Sequence, residues 1–195
     1  MDQTTLINIL AKQSKKQLFI VAIEGLCGSG KSVLAQKISQ QCPCIVIHMD
    51  DFCVPKEKRR KELAGHIDFQ RLKNEVFEPL KQHQALAYQR FDCHSQTYVD
   101  VDELYQNLVI VEGSYSMHPL LQEYYDFSCF VEVDEELRLK RLQEREQERF
   151  EMFISCIYIV IMFDVFGKSF MGDCDVFPCS RRNIYLANLL NTIIF

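Results

Sequence analysis

Eight residues constrain this chain more than any others. Gly25-Leu26-Cys27-Gly28-Ser29-Gly30-Lys31-Ser32 matches the pattern GxxxxGK[ST]. Its placement sharpens its meaning. The residues before it, 18–23 (LFIVAI), form a continuous apolar run of strand length, as a central parallel strand buried on both faces requires. The residues after Gly30 open a helix expected over 31–41, with Leu34 and Ile38 one turn apart. Glycines let the backbone between strand and helix curl until successive N–H groups point inward, where bulkier residues would obstruct an anion. The helix start adds its dipole and its free N–H donors. Gly25, Cys27, Gly28, Ser29, Gly30, Lys31, Ser32 and Val33 are therefore expected to cradle a triphosphate. Lys31 would reach the β- and γ-phosphates, and the Ser32 hydroxyl would ligate Mg2+. ATP and Mg2+ are the implied cofactors. The sequence has no N/T-K-x-D segment of the kind that reads guanine.

Three more strands follow from apolar runs, at 44–49 (CIVIHM), 108–111 (LVIV) and 127–133 (FSCFVEV). Apolar residues 69, 72, 76 and 80 recur at helical spacing, and 135–151 is a charged helix with its acidic residues first. Strands alternating with helices predict an α/β domain of three layers around a mainly parallel sheet. Such sheets bind ligands beyond the carboxyl ends of their strands. Glu24-Gly25, Asp50-Asp51 and Glu112-Gly113 all fall there.

That convergence assigns candidate roles. A carboxylate at residue 50 or 51 can accept a proton from an attacking hydroxyl or hold a metal-bound water. Glu112 ends a buried strand, where an uncompensated carboxylate would be costly, so it is expected beside the cation with Ser32. In the charged helix, Arg138, Arg141, Arg145 and Arg149 recur at spacings of three, four and four, near one face. They can form Glu–Arg surface pairs, or serve as a lid closing on a transferring phosphoryl group.

Composition excludes some classes. A formal charge of −5 argues against a nucleic-acid surface. The one basic run, 56–61 (KEKRRK), follows a proline and reads as a solvated loop. Nine cysteines are scattered without a CxxC pair, which suits a reducing compartment, and cytoplasm is the expected location. No signal peptide is legible in the first 17 residues, and no membrane partner is expected.

The order of these residues resembles the uridine kinase and phosphoribulokinase branch of P-loop kinases. The matching stretches are IEGLCGSGKS (23–32), VIHMDDFCVP (46–55), GHIDFQRLKNEVFEPL (65–80), YQRFDC (88–93), IVEGSYSMHPLL (110–121), YYDFSCFVEVD (124–134) and RLKRLQERE (138–146). The resemblance implies a P-loop kinase fold with a short helical lid, and transfer of the ATP γ-phosphate to the 5′-hydroxyl of a nucleoside such as uridine. It implies Asp50 as catalytic base, Lys31, Arg141 and Arg145 as further catalytic residues, and Ser32 and Glu112 around Mg2+. Asp50, Asp68, Phe91 and Asp92 would contact the acceptor, whose identity (nucleoside, pantothenate or nicotinamide riboside) the loops do not separate. Homo-oligomers are compatible with it.

The resemblance stops near residue 155, so 1–155 reads as the kinase domain and 156–195 as an atypical tail. Residues 1–155 hold 15 Glu and 15 Gln, whereas 156–195 hold none. The run 153–163 (FISCIYIVIMF) has no helical stripe and is too short for a bilayer, which takes about 20 residues. The first stretch there that could form an amphipathic helix is 183–194. The tail reads as a shifted frame or an abnormal terminus, with an inactive nucleotide-binding remnant as the alternative.

Overall fold

The structure is a computed structural model and describes residues 3–13, 15–60, 64–103, 105–151 and 192–194. Strands β1 (Phe19–Gly25), β2 (Ile45–His48), β5 (Leu108–Glu112), β6 (Phe127–Val131) and β7 (Thr192–Ile194) form one sheet, and β3 (Leu86–Asp92) pairs with β4 (Thr97–Glu103) in a separate antiparallel hairpin. The sheet order is β2-β5-β1-β6-β7, with every pairing parallel. β1 lies at the centre, and the loop that leaves its carboxyl end is the glycine-rich one. The three-layer α/β expectation holds.

Side chains alternate across a sheet, and β1, β2 and β5 contribute to a core on each face. Val21, Ile23, Leu108, Ile110, Cys129 and Val131 meet Leu6, Ile7 and Leu10 of α1 (Gln3–Gln13) and Leu34, Ala35 and Ile38 of α2 (Lys31–Ser39). On the other face Ile20, Ile45, Ile47, Val109 and Val111 meet Phe52, Leu72, Val76, Phe77 and Leu80. Burying each such large side chain contributes about 1.5–3 kcal/mol.

The segment spaced for a helix at 69–80 is helical but not uniform. α3 (Phe69–Leu72) passes through a π turn, Lys73–Phe77, into α4 (Glu78–Lys81). The wider turn still buries Leu72, Val76, Phe77 and Leu80.

Several boundaries differ from the sequence expectation, by one or two residues in β1 and β5 and more consequentially elsewhere. α2 stops at Ser39 rather than 41, and β6 at Val131 rather than 133. β2 ends at His48 rather than 49, and Met49–Phe52 coils into a 3-10 turn that holds Asp50 and Asp51 just beyond the strand's carboxyl end. The charged helix is α5 (Glu135–Glu146). It breaks at Gln147, whose φ is 47°, and Arg149 falls in the 3-10 turn beyond. In the tail, 152–191 and 195 lie outside the described residues, and with them the run 153–163. Thr192–Ile194, the end of the helix expected at 183–194, is a strand beside β6.

Candidate active site

The glycine-rich loop takes its shape from two glycines in left-handed backbone. Gly28 has φ 84° and Gly30 has φ 99°. A Cβ on Gly28 would sit 2.9 Å from Cγ of Leu142 and 3.1 Å from the carbonyl oxygen of Arg138. The loop and α5 are thus packed together at van der Waals distance. Gly30 occupies the N-cap of α2 with no side chain capping the helix, which leaves its first amides for an anion. Lys31 is buried and folds back over the loop, donating from Nζ to the carbonyls of Gly25 at 2.9 Å and Leu26 at 3.1 Å.

A cleft of about 890 Å³ opens above this loop, lined on one side by residues 27–34 and on the other by Asp50, Asp51 and Glu112. His48, Arg141 and Arg145 complete its rim. The three strand ends named from the sequence therefore do converge.

Glu112 is almost fully buried at the end of β5, and its Oε1 carries two contacts. Ser32 Oγ donates to it at 2.9 Å, and His48 Nδ1 lies 2.6 Å away. An ionised carboxylate only accepts, so Nδ1 carries the hydrogen in this pair. The partnership raises the His48 pKa above its ordinary value, chiefly through the hydrogen bond to Glu112 and against the opposing effect of burial. Glu112 Oε2 and Ser29 Oγ are both buried without a hydrogen-bond partner among the described residues. Buried oxygens of this kind are ordinarily satisfied. Ser32 spends its hydrogen on Glu112, which leaves its oxygen lone pairs facing the cleft. A hard cation on Ser32 and Glu112, with a phosphate against Ser29, fits this donor set.

Asp50 presents its carboxylate openly to the cleft, yet the protein packed around it raises its pKa by desolvation, with Glu112 adding to the rise. Lys31, His48 and Arg145 oppose that shift. A carboxylate moved upward in this way is a better proton acceptor near neutral pH than an ordinary aspartate. Asp51 is turned inward, only 7% exposed, and accepts from Tyr88 Oη at 3.3 Å. Both aspartates thus line the cleft, Asp50 with its carboxylate exposed and Asp51 buried and tied to the hairpin through Tyr88.

The arginines of α5 divide in the same manner. Arg138 is buried and donates to the Cys27 carbonyl at 3.3 Å, with Glu135 at 3.4 Å. Arg141 donates to the Ser29 carbonyl at 3.4 Å, and Arg145 reaches Cys27 Sγ at 3.4 Å. Arg149 does not line the cleft.

Asp68, Phe91 and Asp92 are not brought to this cleft. Asp68 caps α3, accepting from the Arg71 amide at 3.0 Å. Phe91 is buried in the hairpin core, 5.2 Å from the ring of Tyr98. Asp92 shapes the hairpin turn by accepting from the amides of His94 at 2.7 Å and Ser95 at 3.3 Å.

Two residues at the site carried too little sequence signal to be singled out. His48 looked like one more strand position. In sequence Glu24 reads only as a strand end. Its partly buried carboxylate accepts from the amides of Tyr115 at 3.0 Å and Met117 at 2.7 Å, which pins the segment after β5 against β1. Desolvation raises its pKa, and those two amides partly offset the rise.

No protein-family model matches the chain. Its fold is similar to that of two solved structures. One is described as a possible uridine kinase from Bacillus stearothermophilus, with 20% identity and a TM-score of 0.57 over 78% of this chain and 93% of that one. The other is described as a candidate fructose transport system kinase from Silicibacter sp. TM1040, with 21% identity and a TM-score of 0.56 over 76% of this chain and 83% of that one. With strand order β2-β5-β1-β6-β7 and the GxxxxGK[ST] loop on its central strand, the chain has the α/β fold of a P-loop kinase.

Proposed function

We propose that this protein is an ATP-dependent kinase that phosphorylates a hydroxyl group of a small molecule, with the 5′-hydroxyl of a nucleoside such as uridine as the leading acceptor. The observation that carries the reading is the facing of Asp50 and the phosphate loop across one cleft. Asp50 takes the proton of the acceptor hydroxyl as that oxygen bonds to the γ-phosphorus. The bond from the γ-phosphorus to the bridging oxygen breaks, and ADP leaves with the electron pair. Lys31 neutralises charge on the β- and γ-oxygens, and Arg141 and Arg145 enter from α5 to meet charge developing on the transferred group. Ser32 and Glu112 would hold Mg2+, which supplies positive charge to the same oxygens.

Asp68, Phe91 and Asp92 remain acceptor-side residues in this reading through the elements they anchor. The helical segment from Phe69 and the hairpin stand on the Asp50 side of the sheet. The protein is proposed to work in the cytoplasm. No helix among the described residues is long and apolar enough to cross a membrane.

A coupled assay of ADP release with Mg·ATP over uridine, cytidine, fructose, pantothenate and nicotinamide riboside tests the reading. Acceptor-dependent release with one of them, abolished in Lys31→Ala, is the expected result. ADP release that no acceptor stimulates would remove the kinase assignment.

A further inference from the structure

Glu112 has two oxygens in unlike states. Oε1 is held by Ser32 and His48, while Oε2 is buried and has no hydrogen-bond partner among the described residues. One donor alone would leave the carboxyl free to rotate about its terminal torsion, which is broad for a glutamate. Ser32 is a poor candidate for fixing it, because its hydroxyl is itself a group the cation would engage. His48 has no such second duty. It closes β2 directly beside Glu112, with which it is paired in the parallel register, so its imidazole is delivered by the sheet itself. The ring is half-exposed, with 48% of the side chain accessible, against 5% for Glu112. Its other nitrogen therefore has no buried partner to satisfy. Packing does not explain a histidine at this position, whereas the 2.6 Å contact does.

We infer that His48 is a positioning residue for the cation site, fixing the Glu112 carboxylate through Oε1 so that its other oxygen is presented toward the metal that accompanies the nucleotide. The inference rests on the proposed nucleotide reading and adds to it a residue outside the phosphate loop. Groups that orient a metal ligand from behind typically change metal affinity about 10- to 100-fold when removed. Asp50 and Asp51 also face His48, and each would keep its own place if the imidazole were lost, because both belong to the 3-10 turn.

The test is the thermodynamic coupling between metal and nucleotide, which needs no knowledge of the acceptor. The Kd of ATP is measured by calorimetry for the full chain, once with Mg2+ and once with EDTA, and the ratio of the two is the readout. His48→Ala is expected to raise the ratio of the Mg2+ value to the EDTA value about tenfold, leaving the EDTA value unchanged. His48→Asn can place an N–H donor near the position of Nδ1, and is expected to restore a ratio close to wild type. A melting temperature measured without ligand separates this from loss of fold, since a half-exposed ring contributes little to it. A wild-type ratio in His48→Ala would overturn the inference and leave the nucleotide reading intact. Equal losses in the Ala and Asn variants would overturn it too, since the donor would then not be what matters. Failure of the unmutated chain to bind ATP under either condition would overturn the nucleotide reading itself.

Discussion

Ser32 and Glu112 are 80 positions apart in the chain, yet the hydroxyl of the first donates to the carboxylate of the second over 2.9 Å. The contact joins the start of α2 to the end of β5. These elements are adjacent because β5 pairs with β1 in parallel, which brings the two carboxyl ends to one edge of the sheet. Ser32→Ala removes this donor together with the oxygen proposed to face the cation. ATP affinity in Mg2+ should fall at least tenfold while affinity in EDTA holds, which calorimetry reads directly.

Lys31→Ala should reduce turnover by about 10²–10³-fold, the range for losing one preorganised donor to developing charge. Its two hydrogen bonds run to loop carbonyls, so a modest drop in melting temperature should accompany the loss. Undiminished steady-state turnover would remove Lys31 from the chemistry.

Asp50→Asn should cut turnover about 10²-fold or more, as expected for loss of a general base, with a smaller change in ATP binding. Asp51→Asn should do less, because Asp51 is buried at the cleft wall and its carboxylate is engaged by Tyr88. The acid limb of the wild-type rate profile should lie above the ordinary aspartate range, since desolvation by the surrounding protein and the nearby Glu112 raise the Asp50 pKa.

The same shift has a consequence for stability. An acid whose folded pKa is raised binds its proton more tightly folded than unfolded, so its contribution is most favourable below the unfolded value and is lost as pH climbs through the folded one. Asp50→Asn should therefore melt higher than wild type at neutral pH, with the gap closing in acid. Melting curves at several pH values check it, and a gap that widens in acid would contradict the assignment.

Gly28→Ala should weaken ATP binding and lower the melting temperature together. The residue would be held at φ 84° with its Cβ against Leu142 and the Arg138 carbonyl. Strain of this kind costs about 1–3 kcal/mol, and the easiest relief is displacement of α5. Adding Leu142→Ala to Gly28→Ala should then cost less than the two single losses summed, which a double-mutant cycle measures.

The phosphate half of the site was legible in the sequence because its chemistry is written in contiguous residues. A loop that must curl around an anion needs glycine at fixed positions, and 25–32 has them. Asp50 and Glu112 were legible for a related reason, as charged residues ending apolar strands. Less visible were features set by tertiary packing. Nothing local distinguishes His48 from another strand residue until β5 is laid beside β2. The hairpin of β3 and β4 escaped a reading based on apolar runs because its buried residues are few: Leu86, Tyr88 and Phe91 on β3, and Val101 only in part on β4. Likewise α1 was unassigned, since Leu6, Ile7 and Leu10 form a stripe only three residues wide. The loose expectation for Asp68, Phe91 and Asp92 reflects the same limit, because capping and turn duties depend on neighbours not adjacent in sequence.

β1 is hydrogen-bonded on both sides by parallel partners and covered on both faces, whereas β4 is, among the described residues, paired on one side only and mostly exposed. In amide exchange, the strand that carries the phosphate loop should open only with the whole molecule, and the hairpin should open on its own at lower free energy. If the hairpin serves the acceptor as proposed, the two ends of the proposed reaction stand on parts of unequal durability. The holder of the triphosphate can last as long as the fold itself, while the hairpin can be rebuilt by substitution without loosening it. A lineage descended from such a chain could exchange one small-molecule acceptor for another and keep its nucleotide.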